Sequence, residues 1–437
     1  GTGASDVYAI WPEDNNVIID LERLVEVKEN RNRAIRSGNT EYTNTMLYSE
    51  YVGNRKYTVL GTPNIGSVRV IMVGVRNPRK ESLMDGNNML PKSVIVWINE
   101  LRLSDYSSKG GWAATALART NLADLGDFSI YGAYTSAGFG SLSQSFGDLD
   151  NVNRTDIEMA LNLELGKFLP DNWGLRVPMH FDYSNQIGSP EYNPLDPDVL
   201  LRDDLNTYQT KQQRDSVKAM TQERLSRTNL NFMNVRKERV AKPSAGGDGK
   251  DERHFYDIEN FNFSYAYSAE SSQDIDVEYY NKTQHRGGFG YTFSQSPKPW
   301  KPFDKVKLFQ GKNWKILKDF NLYYQPKNLM FRTEMFRNYE ETKIRNKSMG
   351  DIIIRPTYYK QFTWDRIYNV QYDLSKSIRF TYDATANARI DEPIGKIDTR
   401  TARDSIWESI GGMGTMQNFN QSINANWDVP INKLPYL

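Results

Sequence analysis

The sequence predicts a mainly β chain: antiparallel strands of a transmembrane β-barrel, preceded by a small α+β or β-rich domain and interrupted by a partly helical insertion. Three observations carry this. Apolar and polar residues alternate with period two in many stretches, which gives a sheet one greasy and one wet face. The longest alternating arms exceed the roughly five or six residues of an ordinary strand and reach the roughly nine to eleven that cross a membrane. The chain is also polar yet aromatic, with 38% hydrophobic residues, 12% aromatics and a mean hydropathy of −0.67. Disordered chains lack aromatics, and a membrane helix needs an apolar run of about 18 residues, whereas the longest apolar stretches here are short, such as Val94–Ile98.

Residues 1–105 read as a globular inserted domain. Asp20 is placed to cap a helix carrying Leu21, Leu24, Val25 and Lys28 at helical spacing. Val68–Val75 and Ser93–Leu103 read as buried strands, with turns at Asn77–Pro78 and Gly86–Asn88. Residues 106–184 read as barrel strands, with rows near Ala114–Leu122, Phe128–Tyr134, Ile157–Leu165 and Leu175–Tyr183. Pro178 removes a ladder hydrogen bond, so a bulge or an edge is expected there. Residues 185–256 read as a partly helical insertion: Asp198 as the cap of a helix over Val199–Tyr208, a polar helix over Lys211–Arg227, and a loop tip over Ala241–Arg253.

Residues 257–437 read as barrel strands with long loops. The clearest hairpin has Tyr368, Val370, Tyr372 and Leu374 in phase, then Ile378, Phe380, Tyr382, Ala384, Ala386, Ala388 and Ile390. Asn369, Gln371, Thr381 and Asp383 lie between them. Phe261, Phe263 and Tyr265 alternate in the same way with Asn262 and Ser264. Further rows are Ile275–Tyr279, Phe289–Phe293, Phe320–Tyr324, Leu329–Met335 and Phe419–Trp427, about twelve strands in all. Asn281–Gly287 reads as a turn, and Ser294–Lys318, Arg345–Gln361 and Glu392–Met416 as further insertions, so long loops fall at both strand ends. Tyr279-Tyr280, Tyr323-Tyr324, Tyr358-Tyr359 and Trp364 fit interfacial aromatic girdles, or ordinary edge packing. A soluble β-sandwich or solenoid also alternates, with shorter strands.

Lys+Arg total 55 against 54 Asp+Glu, a net +1 without the basic excess of a nucleic-acid binder. Cysteine is absent, which excludes disulfides and thiolate metal sites. His180, His254 and His285 show no ligand spacing. Asp148–Asn153 has sparse oxygen ligands but lacks the glycine and distal glutamate of an EF-hand, and reads as a solvated loop. Gly132 and Gly138–Gly140 sit in no βαβ unit, so they read as curvature or tight-packing glycines. Asp203-Asp204 and Glu340-Glu341 have no recognisable base or nucleophile beside them. No catalytic, cofactor or metal residues are expected. Gly1 is neither an initiator methionine nor the start of a signal peptide, so the chain reads as a piece of a longer protein.

Val96-Trp97-Ile98-Asn99-Glu100-Leu101-Arg102-Leu103, followed by Gly110-Gly111-Trp112-Ala113-Ala114, resembles the SprA (Sov) family. Tyr192–Pro197, Asn234–Arg239, Tyr256–Phe261, Tyr372–Lys376, Ala388–Pro393 and Pro430–Pro435 extend the likeness in one order to the C-terminus. These proteins form the outer-membrane translocon of the type IX secretion system of Bacteroidetes. The resemblance implies a single-chain barrel far larger than a porin, exporting folded cargo with a C-terminal signal domain and supporting gliding in motile species. It also implies a PorV-type shuttle barrel and a periplasmic plug protein as partners, and the rest of the barrel chain beside this segment. Trp97, Asn99, Glu100, Arg102, Gly111 and Trp112 are its signature residues, with no role assigned. On this reading Phe261, Phe263, Tyr265, Val370, Tyr372, Phe380 and Tyr382 face membrane lipid and lipopolysaccharide. Asn262, Ser264, Asn369, Gln371, Thr381 and Asp383 face a wet lumen. A cell-surface β-sandwich that binds carbohydrate or protein is the alternative.

Overall fold

In the computed structural model, the described residues are 15–39, 41–76, 90–105, 110–140, 143–144, 150–240, 254–304, 306, 318–347 and 353–429. The turns expected at Asn77–Pro78 and Gly86–Asn88, the loop tip 241–253 and Asp148-Leu149 lie outside them. The chain divides into two compact units. One comprises Gly1–Ala113, Thr135–Asn153 and Ser189–Thr221, the other Ala114–Tyr134, Arg154–Gly188 and Gln222–Leu437.

In the first unit, helix α1 (Leu21–Arg36) begins where the Asp20 carboxylate accepts from the Glu22 amide at 3.0 Å. Glu22 in the first turn and Arg33 and Arg36 in the last complement the helix dipole. Its buried face packs Val27 on Tyr57 and Val59 of a hairpin, β1 (Tyr48–Val52) and β2 (Arg55–Val59). Charge does much of the anchoring. The Lys28 ammonium is buried against Asp196 and Asp198, and donates to the Pro63 carbonyl at 2.6 Å. Arg36 pairs with Asp204 at 2.6 Å and lies over the Tyr208 ring. Asp198 therefore does not cap a helix. It sits in a strand, pairs with Lys28 at 3.1 Å and accepts from the Ile65 amide, while the helix begins only at Leu201. Val68–Val75 and Ser93–Leu103 are not buried strands either: they are irregular, exposed and outside every described ladder. Their β-branched alternation meets no partner strand among the described residues.

The second unit is dominated by one sheet. Its strands are β3 (Ala113–Asn121), β4 (Gly126–Thr135), β5 (Val152–Glu164), β6 (Leu175–Arg176) and β7 (Pro178–Pro190). After a short hairpin, β8 (Tyr192–Asn193) and β9 (Asp196–Leu200), and two helices, α2 (Leu201–Asn206) and α3 (Lys211–Thr221), the sheet resumes. It continues with β10 (Glu223–Lys237), β11 (Phe261–Gln273), β12 (Val277–Ser294), β13 (Asn328–Ile344), β14 (Thr357–Asp373), β15 (Ile378–Arg389) and, after helix α4 (Arg400–Gly411), β16 (Thr415–Trp427). These twelve strands form a meander in which each strand lies beside the next, with β6 pairing β10 off the main path. β3 and β16 are its edges, so the sheet is not closed among the described residues. The other described sheets are two-stranded, and no second large sheet covers either face as a sandwich requires.

Proline acts as its chemistry demands. Val177 interrupts the strand, and Pro178, which has no N–H to give a ladder, opens β7. Several elements differ from the sequence reading. β10 runs through the stretch read as an insertion. β12 is one strand of 18 residues, so Asn281–Gly287 is not a turn. Phe320–Tyr324 makes only one isolated bridge, Trp300 to Leu322.

Candidate functional site

The site is the pair of faces of this sheet. The registers place Phe261, Phe263, Tyr265, Val370, Tyr372, Phe380 and Tyr382 on one face. Asn262, Ser264, Asn369, Gln371, Thr381 and Asp383 all fall on the other. On the first face, aromatic rings run from strand to strand: Phe261 to Phe289 at 5.7 Å, Phe289 to Phe331 at 6.5 Å, and Phe331 to Tyr368 at 5.1 Å.

The second face is a lattice of amides, hydroxyls and paired charges. Asn369 donates to Asp383 at 2.6 Å and accepts from Asn328 at 3.0 Å; Asn387 donates to Asp365 at 2.7 Å and Asn229 to Asp182 at 2.7 Å. Arg227 pairs with Glu270 at 2.9 Å, Arg286 with Glu334 at 3.1 Å and Lys282 with Glu340 at 3.5 Å. Asn262 and Ser264 lean across Gly290 and Gly288, where no side chain opposes them.

The apolar band runs obliquely across the strands. Register leads from Phe181 to Leu230, Tyr267, His285 and finally Arg337. A band square to the strands would put an apolar residue at Arg337. Instead the apolar run of β13 is Leu329, Phe331 and Met335, centred about five residues lower, or ~17 Å along the strand. Over four strand spacings, about 19 Å, that offset makes an angle of about 40°. Beyond the band, strands are polar on both faces: β13 continues with Arg337, Tyr339, Glu341 and Lys343 on one face and Asn338, Glu340 and Thr342 on the other. Glu340 and Glu341 thus point apart, Glu340 to Lys282 and Glu341 to the Tyr279 hydroxyl at 2.9 Å.

The connection from β15 to β16 folds back over the apolar face. Ile390, Ile397, Ile406 and Ile410 pack on Phe362, Trp364 and Met335. Ala384, Ala386 and Ala388, in the same row of β15, are buried. Arg337 pairs at 2.5 Å with Glu392, whose side chain is 2% exposed, and Lys360 donates to the carbonyls of Pro393 and Gly395. The Thr415 hydroxyl, then Arg389, holds the Asp391 carboxyl below the usual carboxylate range. Trp364 therefore lies under this strap, donating to Thr333 at 2.6 Å, and not in a girdle at a strand end.

The signature residues fall in the first unit. Trp97 and Asn99 are exposed, and Glu100 pairs with Arg102 at 2.6 Å. Gly111 has a clear physical reason: its amide donates to the Gly138 carbonyl at 3.1 Å, and a Cβ there would meet the Phe139 nitrogen at 2.1 Å. Trp112 exchanges bonds with Ser136, through the hydroxyl and the amide. Gly138, with φ of 78°, supplies the tight turn that this approach needs.

The histidines stand apart: His180 beside Asn162 and Asp182, His254 beside Asp257, and His285 bonded to the Tyr265 hydroxyl. Among the described residues no cluster of three or more histidines or carboxylates could hold a metal. The sequence reading missed Leu230 and Phe232, which put β10 into the band. Their signal was present as Asn229-Leu230-Asn231-Phe232, but a bulge at Met233–Asn234, with Asn234 φ at 57°, shifts Val235 out of phase.

Residues 2–205 match the model of a family described as a motility related/secretion protein. No curated protein matches the chain. Among solved structures, LpxR from Salmonella typhimurium aligns over 72% of this chain and 88% of its own, at 10% identity, with a TM-score of 0.16. At that score the two backbones do not superpose.

Proposed function

The chain belongs to the SprA family, and from that premise we propose that its long-stranded sheet is part of the wall of a protein-conducting outer-membrane channel, the type IX secretion translocon. The oblique apolar band carries this reading. Barrel strands cross a bilayer tilted by about 35–45°, so the plane of the lipid must cut their registers at that angle, and the band does so at about 40°. Aromatic rows such as Phe261, Phe263 and Tyr265 then meet lipid and lipopolysaccharide.

The opposite face lines the pore. Its acids and bases are paired across strands and its amides are bonded to one another, so it offers a hydrated wall with little preference for cargo charge. Conduction and gating are the work of such a wall, and no bond chemistry is needed. A lipid-exposed sheet edge cannot persist, so β3 and β16 are the places where further strands of the same barrel would join. The PorV-type shuttle, the periplasmic plug and cargo with a C-terminal signal domain are the partners that accompany this reading, as is support of gliding in motile species.

Single cysteines in this cysteine-free stretch test it in the full-length protein in membranes, with any cysteine elsewhere in that protein replaced. A membrane-impermeant maleimide should label positions 381 and 383 and spare 370 and 382. The reverse pattern, or equal labelling of both sets, overturns the assignment.

A further inference from the structure

We infer that the strap between β15 and β16 is an interfacial element, with α4 resting on the headgroup layer of the membrane beside the wall. This rests on the reading of the apolar face as lipid-facing. Three observations carry it.

The first is position. Carried on from β13 at the same slope, the band falls on Tyr368, Val370 and Tyr372 of β14 and on Phe380 and Tyr382 of β15. The strap covers the next rows up, Phe362, Trp364 and Arg366, so it begins where the band ends. Its polar anchors agree. Arg337, Lys360 and Glu341 would be costly in hydrocarbon, yet in the first three rows above Met335 they clamp the strap to the wall through Glu392, the carbonyls of Pro393 and Gly395, and Lys396.

The second is what the strap exposes. Its own core contacts use Ile390, Ile397, Ile406 and Ile410, but Trp407 is 68% exposed and Ile394 fully so, with Met413 half exposed. Water is a poor environment for three such side chains on one connection, while the boundary between acyl chains and headgroups suits them, tryptophan above all.

The third is the form of α4. It is a twelve-residue helix, capped by the Thr399 hydroxyl on the Ala402 amide, with Ile406 and Ile410 inward and Arg400, Arg403, Asp404 and Glu408 outward. Mixed charge outside and apolar residues inside and at the rim describe a helix lying along an interface, not across it.

The test is spin-label depth in the full-length protein, with any cysteine outside these residues replaced, reconstituted in vesicles of phosphatidylcholine and phosphatidylglycerol. Labels at Trp407→Cys, Phe263→Cys and Asp404→Cys are compared for collision with oxygen, which concentrates in acyl chains, and with a nickel chelate, which stays in water. The inference expects Trp407 to read between a deep Phe263 and an aqueous Asp404. A Trp407 label as open to nickel as Asp404, or shielded from both reagents, overturns the inference while Phe263 still reads deep. A Phe263 label that reads aqueous overturns the lipid-facing wall itself.

Discussion

Arginine at position 263 separates a membrane wall from any soluble sheet. Phe263 is 48% exposed on the apolar face, between Val235 on β10 and Phe289 on β12, near the middle of the run Phe261–Tyr267. A guanidinium at the bilayer midplane of a barrel wall costs about 2–4 kcal/mol, falling to about 0–1 near the interfaces. Tyr267 lies four residues further along the strand. At ~3.4 Å per residue and a tilt of about 40°, it sits ~10 Å nearer the boundary, and its arginine variant should cost about 1 kcal/mol. Ser264→Arg, on the wet face, should stay within about 0.5 kcal/mol of the parent. The Phe263→Arg loss amounts to roughly a 30- to 700-fold change in the folding constant, within reach of reversible denaturant titration in lipid vesicles. A cost as large at Ser264 as at Phe263, or a flat profile from Phe261 to Tyr267, would refute the orientation.

Four further outcomes follow from local contacts. Glu392→Gln leaves Arg337 without its partner beneath the strap; a part-buried pair of this kind should cost about 1–3 kcal/mol, read as faster hydrogen exchange over residues 390–411 with the strands unchanged. Gly111→Ala puts a methyl into the Phe139 backbone, so protease sensitivity near residues 136–139 should rise, whereas Gly110→Ala, with open space around it, should behave as the parent. Asp198→Asn leaves the buried Lys28 with Asp196 as its only carboxylate neighbour, so melting of the first unit should shift down by about 1–3 kcal/mol. Tyr48 donates to Glu50 at 2.6 Å, and that bond, then burial, pushes its hydroxyl up to about 12. The contribution of Tyr48 to stability is therefore complete below pH 10 and is lost as pH rises from about 10 to 12; ultraviolet titration should show Tyr48 ionising after the exposed tyrosines.

Much of the sheet was legible because period two is written directly into the residues wherever one face meets an apolar medium. β14, β15, β11 and β16 could be read that way, and so could the division of Phe261, Asn262, Phe263 and Ser264 between faces. The reading failed where the strands leave the band. In β12, Asn281, Thr283 and His285 continue the same face as Phe289 and Tyr291, but without apolar contrast they looked like a turn. β10 failed for two reasons at once, a polar first half and a bulge that moved Val235 by one position. The strap needed tertiary knowledge. Ile406 and Ile410 at helical spacing after Thr399 were visible, but nothing local says that they fold back onto Phe362 and Trp364. Val68–Val75 failed the other way: apolar alternation predicts a buried strand only if a partner is at hand, and none is described.

The same polar upper halves make sense of strand length. β12 has 18 residues, about 60 Å of chain. Tilted by about 40°, that rises roughly 46 Å, well beyond a hydrocarbon core of about 30 Å. If the extra length were buried in lipid, Arg337 and Lys343, on the apolar side of the sheet, would each carry a desolvation cost. Standing in water, they need only the carboxylates they already have, Glu392 of the strap and Glu278 of the neighbouring strand. On the proposed membrane reading, a sheet that is apolar on one face for part of its height and polar on both faces above it would rise out of the bilayer as a collar. The strap, clamped by Arg337 and Lys360 at the foot of that collar, closes the apolar rows that lipid would not reach.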